Sequence, residues 1–376
     1  PPRSTLFPYT TLFRSLMSGT SLDGIDIALL VTNGEAVLKF GPTGTMLYSR
    51  NLREKIRSTL GGIGDVAGAE EQVTEAHISA VRDFLNQHNI NSTEIDLIGF
   101  HGHTILHTPL YGKTWQIGNG KRLAKELLID VIADFRDADI AGGGEGAPLA
   151  PVFHKALAQN LDTPLCILNI GGVANLTWIS REAMVAFDTG PGNALIDDWM
   201  LQHTGRTMDV NGTLAATGEI DQTALKELLT DPYFGRPAPK SLDRNHFSEN
   251  ATSVLAKTNP ADDVATLTAF TAQAVLLGLR NLPQPPLQFL VCGGGRKNKT
   301  LMKHLQTELK TPVNSVESVG WCGDAMEAQL FAFLSVRSRY GLPISFPTTT
   351  GVTTPTTGGR LFRAVHGKHK TPVRCK

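Results

Sequence analysis

The apolar positions of this chain fall into short runs whose period switches between two and roughly three and a half. LMSGTSLDGIDIALLV reads as strand, glycine turn, strand, and AVLKF and TMLYS read as a further strand pair joined by the GPTGT turn. Within AEEQVTEAHISAVRDFLNQHNI, Val73, Ala76, His77, Ala80, Val81 and Phe84 recur at helical intervals, which predicts an amphipathic helix. IDLIGFHGHT follows as a buried strand, KRLAKELL as a helix and VIADFR as another strand, and residues 141–148 form a glycine-rich loop.

After a helix at PVFHKALAQN the pattern starts again. LCILNIGGVANLTWI is a second strand, glycine turn and strand, and MVAFDTGPGNALIDDWM is strand, tight Gly/Pro turn and helix. A long helix at VATLTAFTAQAVLLGLR, the strand LQFLVCGGG and helices at KNKTLMKHLQTEL and DAMEAQLFAFLSVRSRY complete it. Two α/β halves that open alike imply an internal duplication with a ligand between the halves and a boundary near residue 150. Thr, Pro and Gly dominate the chain from residue 348, and beyond 359 it is basic, which predicts a disordered end.

Composition narrows the function. Lys and Arg together number 35 against 35 Asp and Glu, so the net charge is zero, and nucleic-acid and anionic-membrane partners are not expected. With 41% hydrophobic and 19% charged residues over 376 positions, the chain reads as soluble and two-domain. It shows no spanning segment or secretory signal, which makes the cytoplasm the expected location. Cys166, Cys292, Cys322 and Cys375 form no CxxC pair and are expected to be buried free thiols.

Several turns could carry chemistry. In Ser18-Gly19-Thr20-Ser21-Leu22-Asp23-Gly24, glycines let backbone amides approach a phosphate, hydroxyls add donors, and Asp23 could hold Mg²⁺ through water, although an ordinary hairpin turn has the same residues. Gly112-Lys113-Thr114 has a P-loop ending, but His107 stands where the first glycine is required; the GxGxxG match at Gly142 runs straight into proline and is read as a loop. His101, His103 and His107 suggest a metal, since alternate strand residues share a face, yet a strand-end His bonded to a ligand or carbonyl is the commoner outcome. Asp134 and Arg136 end a buried strand beside the glycine-rich loop, where a carboxylate and a guanidinium fork suit a hydroxylated or carboxylated ligand. Asp188, in Asp188-Thr189-Gly190-Pro191-Gly192-Asn193, stands at a strand end before a helix, where open α/β sheets present catalytic groups. Gly293, Gly294 and Gly295 also lie between a strand and a helix, and Glu327 opens an otherwise apolar helix whose core-like face demands a polar neighbour.

Taken together, LMSGTSLDGIDIAL, GFHGHTILHTP, QIGNG, ADFRDADIAGGGEGAPLAPVFH, LNIGGVANLT, FDTGPGNALIDDW, VCGGGRKN and DAMEAQLFAFL resemble one family in its own motif order, anhydro-N-acetylmuramic acid kinase, from about residue 16 to about 359. The resemblance implies the sugar kinase/Hsp70/actin superfamily: an α/β fold of two RNase H-like lobes, residues 16–150 and 151–347, with a nucleotide and sugar cleft between them. It implies that Gly19, Thr20, Ser21, Leu22, Asp23, Gly24, Ile25 and Asp26 form the first phosphate loop, Gly171 and Gly172 the second, and Gly293–Gly295 the adenosine-side loop. His101, Asp134, Arg136 and Glu327 would bind the sugar and Asp188 would be the catalytic base. The implied reaction uses ATP and Mg²⁺ to phosphorylate 1,6-anhydro-N-acetylmuramic acid with hydrolytic opening of its anhydro bridge, giving N-acetylmuramic acid 6-phosphate and ADP in cell-wall recycling. A homodimer is left open. Residues 1–15 depart from the family, with Arg14 and Ser15 where apolar residues are expected, and are read as a non-native or disordered extension. The rival readings are a nucleotide-switch ATPase of the Hsp70 or actin type, which should lack the polar sugar pocket, and a metal-dependent hydrolase using His101 and His103.

Overall fold

In the computed structural model, which describes residues 12–18, 24–255 and 259–364, three antiparallel strands open the chain: β1 (Leu12–Ser18), β2 (Gly24–Thr32) and β3 (Val37–Leu47). The GPTGT stretch does not turn. β3 runs through it with register shifts, and the turn lies at Asn33–Gly34, where Asn33 Oδ1 accepts from the Glu35 and Ala36 amides at 2.9 and 2.8 Å. Pro42 is tolerated because β3 is the sheet's edge, where its missing N–H breaks no ladder.

Helices α1 (Arg50–Arg57) and α2 (Val66–Gln87) follow. The Asp65 side chain caps α2, accepting from the Gly68 amide, and the face carrying Val73, His77, Val81 and Phe84 is buried at the predicted spacing. Next come β4 (Leu97–Phe100), β5 (His103–Thr108), β6 (Lys113–Ile117), α3 (Gly120–Leu127), β7 (Asp130–Ala133) and α4 (Asp137–Ala141).

The second series runs α5 (Pro151–Leu157), β8 (Leu165–Ile170), β9 (Val173–Ile179), β10 (Met184–Pro191), α6 (Ala194–Thr204), α7 (Gln222–Leu228), α8 (Ser248–Leu255), α9 (Pro260–Gly278), β11 (Phe289–Cys292), α10 (Lys299–Leu309) and β12 (Val313–Ser315). The chain ends its described course with α11 (Met326–Arg339), α12 (Pro347–Thr350) and β13 (Arg360–Phe362).

These elements form two compact units, and the chain passes between them more than once. One unit takes residues up to Gly142, then Glu327–Ile344 and the chain from Pro355; the other takes Gly143–Met326 and Ser345–Thr354. The single crossing expected near residue 150 is therefore corrected, because α11 and β13 pack with the first unit. β13 pairs antiparallel with β7, and the Ala364 amide donates to Asp130 Oδ1 at 2.8 Å, so the segment just past 359 is sheet. The last residues, 365–376, lie outside the described residues.

Both units repeat one sheet plan. The first has the order β13-β7-β4-β1-β2-β3 and the second β10-β9-β8-β11-β12. In each, the first three strands form an antiparallel meander, and two later strands run parallel to the first. The parallel strands β4 (LIGF) and β11 (FLVC) are buried throughout, as strands covered on both faces must be. β1 lies between β2 and β4, so Leu12–Ser15, assigned by sequence to the extension, belong to an interior strand; residues 1–11 are outside the described residues.

Candidate active site

In the first unit, β1, β4 and β7 are parallel and end on one sheet edge, where open α/β sheets place ligands. β4 delivers His101 to that edge and β7 delivers Asp134 and Arg136. A Cβ on Gly99 would stand 2.2 Å from the Phe331 carbonyl, so a bare backbone there lets α11 lie directly on β4. That approach seats the Phe331 ring 4.5 Å from the His101 ring and brings Glu327, one turn earlier on α11, into the same group.

His101 is buried, and burial followed by the Arg136 charge hold its imidazole well below its usual range, so the ring is neutral. Arg136 Nε can only donate, so His101 Nε2 accepts from it at 3.2 Å and Nδ1 carries the proton, donated to the Gly102 carbonyl at 3.0 Å. Asp134 adopts φ +60°, a left-handed conformation of the kind that concentrates at ligand sites, and burial with help from Asp137 raises its carboxyl while Arg360 opposes. Glu327 keeps solvent access but is crowded by protein. That crowding, then the Asp26 carboxylate, push it up to about 7 against the pull of Arg136. Asp26 accepts from Thr45 Oγ1 at 2.5 Å. The four residues assigned to the sugar thus lie in one unit, and three of them, with Asp26, form one electrostatic group.

Of the first phosphate loop, Gly19, Thr20, Ser21, Leu22 and Asp23, including the water-mediated metal position, lie outside the described residues. Gly24 and Ile25 are already paired in β2, and the Ile25 side chain is in the core at 1% exposure, so only its backbone could meet a nucleotide. The metal reading of the histidines fails on local geometry. Gly102, at φ +72°, breaks the strand, so His101 follows β4 directly while His103 opens β5 in a separate two-stranded sheet and buries both ring nitrogens without a hydrogen-bond partner. Among the described residues, no group of three His, Cys, Asp or Glu gathers as a metal site. Cys166 and Cys292 are buried, but Cys322 is exposed, against expectation.

In the second unit, register aligns the other candidates. Asp188 pairs with Asn175, Asn175 with Asn169, and Asn169 with Cys292. Asp188, Gly171–Gly172 and Gly293 therefore emerge at the same edge of the sheet. The carbonyls of Gly171 and Gly172 accept from the amides of Asn193 and Ala194 at the start of α6, at 2.7 and 3.1 Å. Added Cβ atoms at Gly171, Gly172 and Gly294 would meet nothing closer than 3.8, 3.6 and 3.7 Å, so the fold itself does not require glycine at these positions. Gly293 differs: it sits at φ +74°, and its Cβ would strike Asn169 Oδ1 at 2.5 Å. A Cβ on Gly295 would meet the Ile170 side chain at 2.5 Å, so that glycine also serves packing.

Asp188 is 8% exposed, and one surface segment grips it. The Leu242 amide donates to Asp188 Oδ2 at 2.8 Å, the Asp188 amide donates to the Lys240 carbonyl at 2.9 Å, and Tyr233 Oη donates to the Asp188 carbonyl at 2.6 Å. Sequence reasoning missed this segment, because a lone Lys in PKSLDRN has no spacing or motif to mark it.

Two units that each order their first five strands third, second, first, fourth, fifth define the ribonuclease H-like class to which sugar kinases and actin-like ATPases belong. The model of the family described as anhydro-N-acetylmuramic acid kinase matches residues 11–364, and the chain belongs to that family. It is 52% identical over 346 residues to a protein of that name from Paramagnetospirillum magneticum, covering 92% of this chain and 98% of the relative. It is 48% identical over 362 residues to one from Rhodopseudomonas palustris, covering 93% and 98%. Among solved structures, the (R)-2-hydroxyglutaryl-CoA dehydratase component A of Acidaminococcus fermentans is similar with a TM-score of 0.47 at 12% identity, covering 87% of this chain and 99% of that one. No helix among the described residues is long and apolar enough to cross a membrane.

Proposed function

We propose that this protein is an ATP-dependent phosphotransferase that opens the anhydro bridge of 1,6-anhydro-N-acetylmuramic acid and phosphorylates O6, releasing N-acetylmuramic acid 6-phosphate and ADP in cell-wall recycling. The observation that carries the mechanism is Asp188: a largely buried carboxylate within β10 at its register shift, one oxygen fixed by a backbone amide, toward the same sheet edge as Gly171–Gly172 and Gly293–Gly295. Asp188 accepts a proton from the water whose oxygen bonds to C1. The C1–O6 electron pair passes to O6, which displaces ADP from the γ-phosphorus.

Gly172 and Gly294 serve the nucleotide, since a Cβ at either would make only ordinary contacts in the protein, which leaves close approach of a triphosphate and its nucleoside as the reason for glycine. Gly19–Asp23 is the other phosphate-binding segment in this reading. His101, Asp134, Arg136 and Glu327 hold the sugar's hydroxyl, amide and carboxylate groups. Asp23 and Asp26, close in sequence, offer the hard carboxylate oxygens that would hold a Mg²⁺ ion, which would supply neutralisation of the ATP phosphates.

Asp188→Asn preserves shape and removes the base. It should lower kcat by roughly 10² to 10⁴ while leaving KM for both substrates nearly unchanged. A variant with near-normal kcat would remove Asp188 from the mechanism.

A further inference from the structure

Lys240 is 3% exposed, and an ammonium is costly to bury. Its Nζ donates to the Tyr233 carbonyl at 2.9 Å and lies 4.3 Å from the centre of the Tyr233 ring, so both of these partners are neutral. A methionine of similar length would fill the space without the desolvation cost. The same residue offers its carbonyl to the Asp188 amide, and the chain two residues on caps the Asp188 carboxylate. Tyr233, which holds the ammonium, also donates its hydroxyl to the Asp188 carbonyl.

We infer that Lys240 is a positioning residue for the phosphotransfer: anchored by Tyr233, its positive charge keeps the Asp188 carboxylate ionised and in place as the base. The inference rests on the reading of Asp188 as base given above. Burial, then Arg236 and Arg280, lower the ammonium to about 8, and the Asp188 carboxylate draws it back up. Arg236 itself faces Glu145 at 3.7 Å, and Tyr233, Arg236, Arg280 and Glu145 remain unaltered in the variants below, so any change reports Lys240.

Lys240→Gln retains a donor for the Tyr233 carbonyl and removes the charge; Lys240→Arg retains the charge. The pH profile of kcat/KM for the sugar separates charge from packing. The Gln variant should move the acid limb upward by about one pH unit and lower kcat about tenfold, with KM for ATP unchanged, while the Arg variant keeps the limb in place. An unmoved limb in a folded Gln variant overturns the proposal. So does an equal shift in the Arg variant, or loss of cooperative thermal unfolding in the Gln variant, since either makes Lys240 a purely structural residue. Asp188→Asn measured alongside distinguishes the two readings. If it is severely impaired while the Gln variant's limb stays put, only the Lys240 proposal fails; if it is near normal, the base assignment itself fails.

Discussion

Glu327 is set near 7 by crowding and by the Asp26 carboxylate, and a hydrogen-bond acceptor for a sugar hydroxyl is best when ionised. The sign follows directly: the ionised form dominates above about 7, so KM for the sugar should rise as pH falls below that, by up to about tenfold per unit. Glu327→Gln should raise KM at neutral pH and flatten this dependence, whereas a wild-type KM constant across the range would mean that Glu327 does not bind as an anion. The glycines make a second contrast at this scale. Gly172→Ala should leave stability within about 0.5 kcal/mol and raise KM for ATP, because a Cβ there has room in the protein but would intrude on a nucleotide bound as proposed. Gly293→Ala should instead cost more than about 1 kcal/mol in denaturant unfolding, through its left-handed φ and its collision with Asn169. Equal stability in the two variants would contradict the division between glycines kept for ligand and glycines kept for fold. The side chains proposed to bind the sugar were legible as candidates because they sit inside long family motifs. Lys240 was not, since the need for a buried charge arises only when the chain folds it against Tyr233 and Asp188.

Elements were legible where one period persists. α2 announced itself by a single buried face with a side-chain cap, and β8 and β11 by apolar runs bounded by glycine. The errors arose where glycine and proline have two meanings. GPTGT reads as a turn, yet Gly41 must approach the Leu29 side chain, where a Cβ would come within 2.7 Å, and Pro42 lies on an edge strand, so the segment stays extended. HGH reads as alternation, yet Gly102 ends one strand and begins another sheet. β1 brings a prediction opposite to the one its sequence suggests. Leu12 to Ser15 pair with β2, and Phe13 to Ser15 also pair with β4, so deleting residues 1–15 removes the ladder on both sides of an interior strand. The truncated protein should lose its cooperative thermal transition; a truncated enzyme with unchanged melting and activity would show that β1 does not support the sheet.

At the scale of the whole molecule, the duplication was legible because both halves open with the same strand, small-residue turn and strand, and the two sheets bear out the repeat in their strand order. The interleaving was not. Nothing local in DAMEAQLFAFL tells which sheet the helix will cover; that depends on the bare backbone of Gly99, more than two hundred residues earlier. This return of the chain puts Glu327 with His101 and Arg136, so the group proposed to bind the sugar joins β4 and β7 of the first stretch of chain to a helix near the end of the described sequence. The central claim is that one turnover both hydrates C1 and phosphorylates O6. It is tested most directly by running the reaction with ATP and 1,6-anhydro-N-acetylmuramic acid in ¹⁸O-labelled water and locating the label by mass spectrometry. The account predicts one labelled oxygen at C1 of N-acetylmuramic acid 6-phosphate, none in its phosphate, and ATP consumption that requires the sugar. Label in phosphate, or ATP hydrolysis that proceeds equally without sugar, would contradict it.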